Sequence, residues 1–139
     1  MLTKKAQYAL RALTVLTRRY EVPASSSDWS SARSIAESGT MSVKFLEQIL
    51  GDLRSAGIVR SRRGPSGGHA LAMAPEEVTL ARIIRLMDGP IAPLACVSLH
   101  YYEKCHDCEE EECGLRRMMV QVRDAQLSVL EHRTLRDLI

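Results

Sequence analysis

The run Arg63-Gly-Pro-Ser-Gly-Gly-His69 constrains this fold more than any other stretch of the chain. Three glycines and a proline so close together cannot sustain a helix, and they favour a tight reversal. The flanks, Ile58 to Arg62 and His69 to Met73, are short β-like runs, so the reversal predicts a hairpin. Just upstream, residues 32–38 predict a short helix with Ser31 as N-cap and Gly39 as its stop. Ser42 then caps a second helix to about Ala56, with Gly57 at the left-handed C′ position and Ile58 packing beyond it. Leu46, Ile49, Leu50 and Leu53 share the inner face of that helix, and Lys44, Glu47, Gln48, Asp52 and Arg54 the outer. Two short helices around the Gly39-Thr-Met turn form a helix-turn-helix, and a hairpin placed directly after it is a wing.

The rest of the chain is read around that unit. Aromatic content is only 4%, so the core is aliphatic, which favours helices. Residues 3–20 predict a helix with Ala6, Ala9, Leu10, Leu13, Leu16 and Tyr20 on one face. A break from Glu21 to Ser31, with Pro23 and three serines at 25–27, is long for a helix connection and is expected to be mobile. Trp29, within it, is expected to be a loop residue covering part of the core. Thr79 caps a helix through Met87, with Val78 and Ile83 as a hydrophobic staple and Gly89-Pro90 as its end. A last helix runs from Leu115 to about Arg133. Its stripe of Leu115, Met118, Met119, Val122, Ala125 and Val129 must be buried on its own domain or on a twin. No stretch approaches the ~20 apolar residues of a membrane span. The N-terminus enters an amphipathic helix without a signal core, so a cytoplasmic protein with reduced thiols is expected.

Charge divides the chain. Residues 1–75 hold 11 Lys/Arg against 5 Asp/Glu, and residues 76–139 hold 8 against 12. A basic front suggests a polyanion partner. A recognition helix needs an apolar side to rest on and a polar side to reach base edges. Lys44, Glu47 and Gln48 supply the polar side: Glu accepts from cytosine N4 and Gln pairs with adenine. Arg60, Arg62 and Arg63 precede a loop where Gly64, Gly67 and Gly68 let backbone amides approach a phosphate. A guanidinium at that edge suits a narrow minor groove.

All four cysteines fall in one polar loop, Cys96, Cys105, Cys108 and Cys113, spaced C-x8-C-x2-C-x4-C. Three chemistries suit them: a zinc site, a disulfide or redox dithiol, and an iron–sulfur cluster. Closed zinc sites usually use two short Cys pairs, and only Cys105 and Cys108 form one here. The same pair is the natural disulfide, which leaves two cysteines unexplained. The acidic run at 109–112 reads as a solvated turn.

Several blocks resemble the Rrf2 family of bacterial winged-helix regulators. They are Leu2-Thr-Lys-Lys-Ala-Gln-Tyr-Ala-Leu-Arg-Ala12, Ser34-Ile-Ala-Glu37, Phe45-Leu-Glu-Gln-Ile-Leu50, Leu53-Arg-Ser-Ala-Gly-Ile-Val59, the Arg63 to His69 run and Met87-Asp-Gly-Pro90. The resemblance implies a mostly α fold with a small β-wing. A winged helix-turn-helix domain over 1–75 precedes a segment, 76–139, of linker helix, cysteine loop (91–113) and dimerisation helix (114–133). It implies a homodimer on double-stranded DNA carrying a partly palindromic operator, with no enzymatic activity. Family base readers map onto Lys44, Glu47 and Gln48, and a minor-groove arginine onto Arg63. The candidate DNA set is therefore Ser42, Lys44, Glu47, Gln48, Arg60, Arg62, Arg63, Gly67 and Gly68.

The resemblance also favours a [2Fe–2S] or [4Fe–4S] cluster on Cys96, Cys105, Cys108 and Cys113, sensing iron, redox state or nitric oxide. Many members use three cysteines, some with a carboxylate just before the helix-1 tyrosine. Here that position is Gln7, a poor ligand, and four cysteines are present. His100 or His106 beside three thiols is the alternative ligand set. The competing functions are a small Fe–S electron carrier or cluster-assembly accessory protein, and a winged-helix regulator with a zinc or thiol-switch loop.

Overall fold

Helix α1 (Lys4–Tyr20) begins at Thr3, whose hydroxyl accepts from the Ala6 amide at 3.2 Å. This computed structural model describes residues 1–22 and 29–139, so Pro23 and the serines of the expected break lie outside the described residues. α1 is the hub of the fold. Its small Ala6, Ala9 and Ala12 let neighbouring elements approach closely, and Leu13 and Leu16 fill the space between them. Tyr20 does not join them and is 51% exposed. The buried face ends one turn earlier, where Thr17 is enclosed and its hydroxyl donates to the Leu13 carbonyl at 2.7 Å.

Helices α2 (Ala32–Gly39) and α3 (Val43–Ser55) start where expected, with Ser31 and Ser42 accepting from the Ser34 and Phe45 amides. The helix α2 ends at Gly39, and Thr40 after it is left-handed, with φ 53°. A Cβ on Gly39 would lie 2.7 Å from the Met41 methyl, which tucks back into the core. Gly57 ends α3 with φ 76°.

Strands β1 (Val59–Arg62) and β2 (Gly68–Leu71) pair antiparallel, with Val59 opposite Leu71 and Arg62 opposite Gly68. Ser30 adds a bridge on the free side of β2, exchanging two backbone hydrogen bonds with His69 at 2.9 and 2.7 Å. After a 3-10 turn at Pro75–Glu77, Thr79 caps α4 (Leu80–Asp88), and Gly89 breaks it at φ 83°.

Helix α5 (Gly114–Leu130) stops short of the expected Arg133. The reason is a bridge between Thr134 and Thr79, where the Arg133 carbonyl accepts from the Leu80 amide at 2.8 Å. A 3-10 turn, Leu135–Leu138, follows, and Leu135 is fully buried in the same cluster as Ala6, Leu13, Leu53, Val78 and Ile83. One core thus reaches from the first helix to the C-terminal turn. α5 contributes no buried residue to it. Its Leu115, Met118, Val122 and Val129 stand 40–59% exposed. No described helix is long and apolar enough to cross a membrane.

Candidate DNA interface and cysteine cavity

The inner residues of α3 fix its outer face. Leu46, Ile49, Leu50 and Leu53 are fully buried, Phe45 meets Tyr8 of α1 edge-on at 5.6 Å, and Lys5 pairs with Asp52 at 2.8 Å. Lys44, Glu47 and Gln48 are left exposed at the N-terminal end of α3. The Ser42 hydroxyl is engaged as the helix cap.

The wing is more organised than its composition suggests. Arg60 and Arg62 lie on one face of β1, and both guanidinium groups stack on the Trp29 indole, at 4.6 and 4.7 Å from the ring centroid. Trp29, half-buried, thus serves as a platform under the wing arginines. Arg60 Nε also donates to the Leu71 carbonyl at 3.3 Å, and Arg62 Nη2 to the Ser66 carbonyl at 2.5 Å. Arg63, beside them, is exposed to solvent.

Gly67 and Gly68 have structural roles within the wing. A Cβ on Gly67 would lie 2.1 Å from the Arg62 carbonyl oxygen, and one on Gly68, with φ 150°, 2.5 Å from that of Ser30. One residue pair in from the wing's turn, His69 Nδ1 shares a hydrogen bond with Ser61 Oγ at 2.9 Å. Burial, then the Arg54 charge, lowers the His69 pKa, with Glu47 opposing.

The four cysteines converge on a cavity of about 480 Å³ beside the start of α5, with His106 and Leu115 also on its wall. Cys96 is buried on a short 3-10 turn, Ala95–Val97, while Cys105, Cys108 and Cys113 are partly exposed; all four are free thiols. Cys108 hydrogen-bonds to Cys105 and to Cys113, and the first of these contacts leads in pushing its pKa up to about 12. Cys113 is the N-cap of α5: its sulfur accepts from the Arg116 amide at 3.4 Å, which lowers its pKa. Among the described residues, no three His, Cys, Asp or Glu side chains stand ready around a single ion.

Two residues outside the candidate ligand set shape this loop. Glu110 accepts from the Cys105 amide at 3.0 Å and the Tyr102 hydroxyl at 2.7 Å, so it is not a solvated turn residue. The Tyr102 hydrogen bond, then the Cys105 amide, lowers its pKa. Nothing in the run of four glutamates distinguished it. Arg116 points its Nε into the protein, buried without a hydrogen-bond partner and 3.8 Å from Glu110 Oε2. Four thiols on one cavity wall are the donors that ligate iron–sulfur clusters, so the donor set fits such a group. Gln7 turns away from ligand duty, donating to the Leu2 carbonyl at 2.9 Å.

Residues 2–139 match the Rrf2 family, described as iron-dependent transcriptional regulators. An rrf2-like HTH-type regulator of Rhodobacter capsulatus is 41% identical, covering 100% of this chain and 92% of its own length. The HTH-type transcriptional regulator CymR of Bacillus subtilis is 34% identical over 99% of this chain and 88% of its own. The solved structure of that CymR, titled the global cysteine regulator, superposes with a TM-score of 0.77 over 99% of this chain and 95% of its own. IscR of T. potens superposes with a TM-score of 0.72 at 28% identity, over 99% and 85%. The relatives that match this chain nearly end to end are transcriptional regulators, not enzymes. The chain belongs to the Rrf2 family of winged-helix, DNA-binding transcriptional regulators.

Proposed function

We propose that this regulator is a cytoplasmic homodimer that adjusts its hold on a partly palindromic operator through an iron–sulfur cluster, [2Fe–2S] or [4Fe–4S]. Cys96, Cys105, Cys108 and Cys113 would hold the cluster. The observation that carries the reading is the shared cavity of the four thiols. When bound, the cluster supplies a group whose charge and integrity respond to iron, redox state or nitric oxide. Cys113 links that group to α5, because the same sulfur caps the first turn of the helix. Arg116 offers its amide to that sulfur, while its guanidinium faces Glu110.

The exposed apolar stripe of α5 fits a second copy of the chain. In a dimer built on α5, tilting the helix changes the separation of the two α3 helices. Half-sites lie about 34–36 Å apart on B-DNA, so a small tilt changes affinity strongly. Lys44, Glu47 and Gln48 would read base edges. Ser42, Arg60, Arg62, Arg63 and the amides at Gly67 and Gly68 would hold the backbone or the minor groove.

Anaerobic purification with a visible spectrum, iron, sulfide and zinc analysis, and DNA titration of loaded and cluster-free protein tests the proposal. A coloured, iron- and sulfide-bearing protein whose DNA affinity changes on cluster loss is expected. A colourless protein with stoichiometric zinc would refute the cluster. A second reading rests on the contact of Cys108 with Cys105 and Cys113. An iron-free protein whose DNA affinity changes when two of these thiols form a disulfide would establish a thiol switch instead.

A further inference from the structure

We infer that Trp29 is a positioning residue for DNA binding, holding Arg60 and Arg62 in a fixed, paired presentation to the phosphate backbone. The inference rests on the proposed contact of the wing arginines with DNA. A free arginine side chain loses several rotatable bonds' worth of freedom when it grips a phosphate. Here much of that ordering is complete before DNA arrives. Both guanidinium groups lie on one indole, at 4.6 and 4.7 Å, and each is tied to a wing carbonyl, Leu71 or Ser66. Stacking uses the face of a guanidinium and leaves edge N–H groups for an anion.

The platform is itself fixed to the wing. Ser30, next in sequence, exchanges two backbone hydrogen bonds with His69 of β2, and Gly68 lacks a Cβ where Ser30 passes. Two like charges on one ring also repel each other, so the pair gains doubly when a phosphate neutralises it. Among the described residues Arg63 lies on no aromatic ring, so the two kinds of arginine are set for different work. Arg60 and Arg62 form a rigid clamp, and Arg63 is free to follow the groove.

The chain has a single tryptophan, so the clamp carries its own optical probe. The test titrates wild type, Trp29→Phe, Trp29→Leu, Arg60→Ala and Arg62→Ala with a mixed-sequence duplex at several salt concentrations. Circular dichroism and thermal melting confirm folding of each variant. Trp29→Leu keeps an apolar side chain but no aromatic face. It is expected to weaken binding about fivefold, with the salt slope unchanged because no phosphate contact is lost. Trp29→Phe is expected to recover most of the affinity. Each arginine variant is expected to lower the salt slope by about 1. Indole emission is expected to change on DNA addition in wild type and to respond less in either arginine variant.

Equal binding by folded Trp29→Leu and wild type, alongside weakened arginine variants, overturns the positioning role alone. Unaltered affinity and slope in both arginine variants overturns the wing contact and the positioning role with it.

Discussion

Leu135 offers a direct measure of how the C-terminal turn serves the DNA-reading head. Its side chain is fully buried, and its amide donates to the Val78 carbonyl at 3.0 Å. Leu135→Ala removes three heavy atoms from a core that also holds Val78, Ile83 and α1. The surrounding helices cannot close the gap fully, so a loss of about 3 kcal/mol is expected. In a chain of this size that corresponds to a fall in Tm of roughly 10 °C. Arg136 is the control on the same turn. It pairs with Glu21 at 2.5 Å and Glu76 at 2.7 Å, but all three side chains are 36–50% exposed and solvent-screened, so Arg136→Ala should lower the Tm far less than Leu135→Ala. Leu135→Met, which nearly conserves volume, should cost less than about 1.5 kcal/mol. Thermal melting of the three variants at one protein concentration makes the comparison. A Leu135→Ala melt no lower than that of Arg136→Ala would show that the turn is an ornament on the head and not part of its core.

Three further outcomes follow from the geometry. Gly67→Ala places a methyl against the Arg62 carbonyl, whereas Gly64→Ala meets open space and strains only φ; DNA affinity in a mobility-shift titration should fall further for the first than for the second. The folded protein takes up the His69 proton at lower pH than the unfolded chain, because burial and Arg54 lower its pKa. Stability should therefore hold steady above about pH 6.5 and decline as pH falls below it, and His69→Asn should flatten that decline in melts across pH. Val122→Asp puts a charge in the exposed stripe of α5 and should yield a folded monomer by sedimentation; a dimer that persists would move the interface elsewhere.

Much of the fold is legible in short-range signals. Ser31, Ser42 and Thr79 cap helices, Gly57 ends one, and the Arg63 to His69 run turns the wing, because each acts within a few residues of itself. What escaped depends on long-range closure. Leu135 is an ordinary apolar residue until the bridge to Thr79 returns it to α1, and that bridge also ends α5 early. The cysteines announce a site by spacing, but Glu110 is one of four identical neighbours, and only the fold aims it at the Cys105 amide. Trp29 carried a signal that composition could not interpret: a lone tryptophan beside two arginines that are distant in sequence.

The reach of the core from Ala6 to Leu135 bears on how the protein is born. Synthesis runs from the N-terminus, and domains fold as units once their parts are available. The helix-turn-helix and wing are made early, yet the cluster they rest on lacks its Leu135 side chain until the cysteine loop and α5 have also been translated. A nascent or prematurely terminated chain would carry the DNA-facing residues on an unfinished scaffold. On the proposed function, the surface that meets DNA would rest on a finished core only once the segment proposed to regulate it has been made.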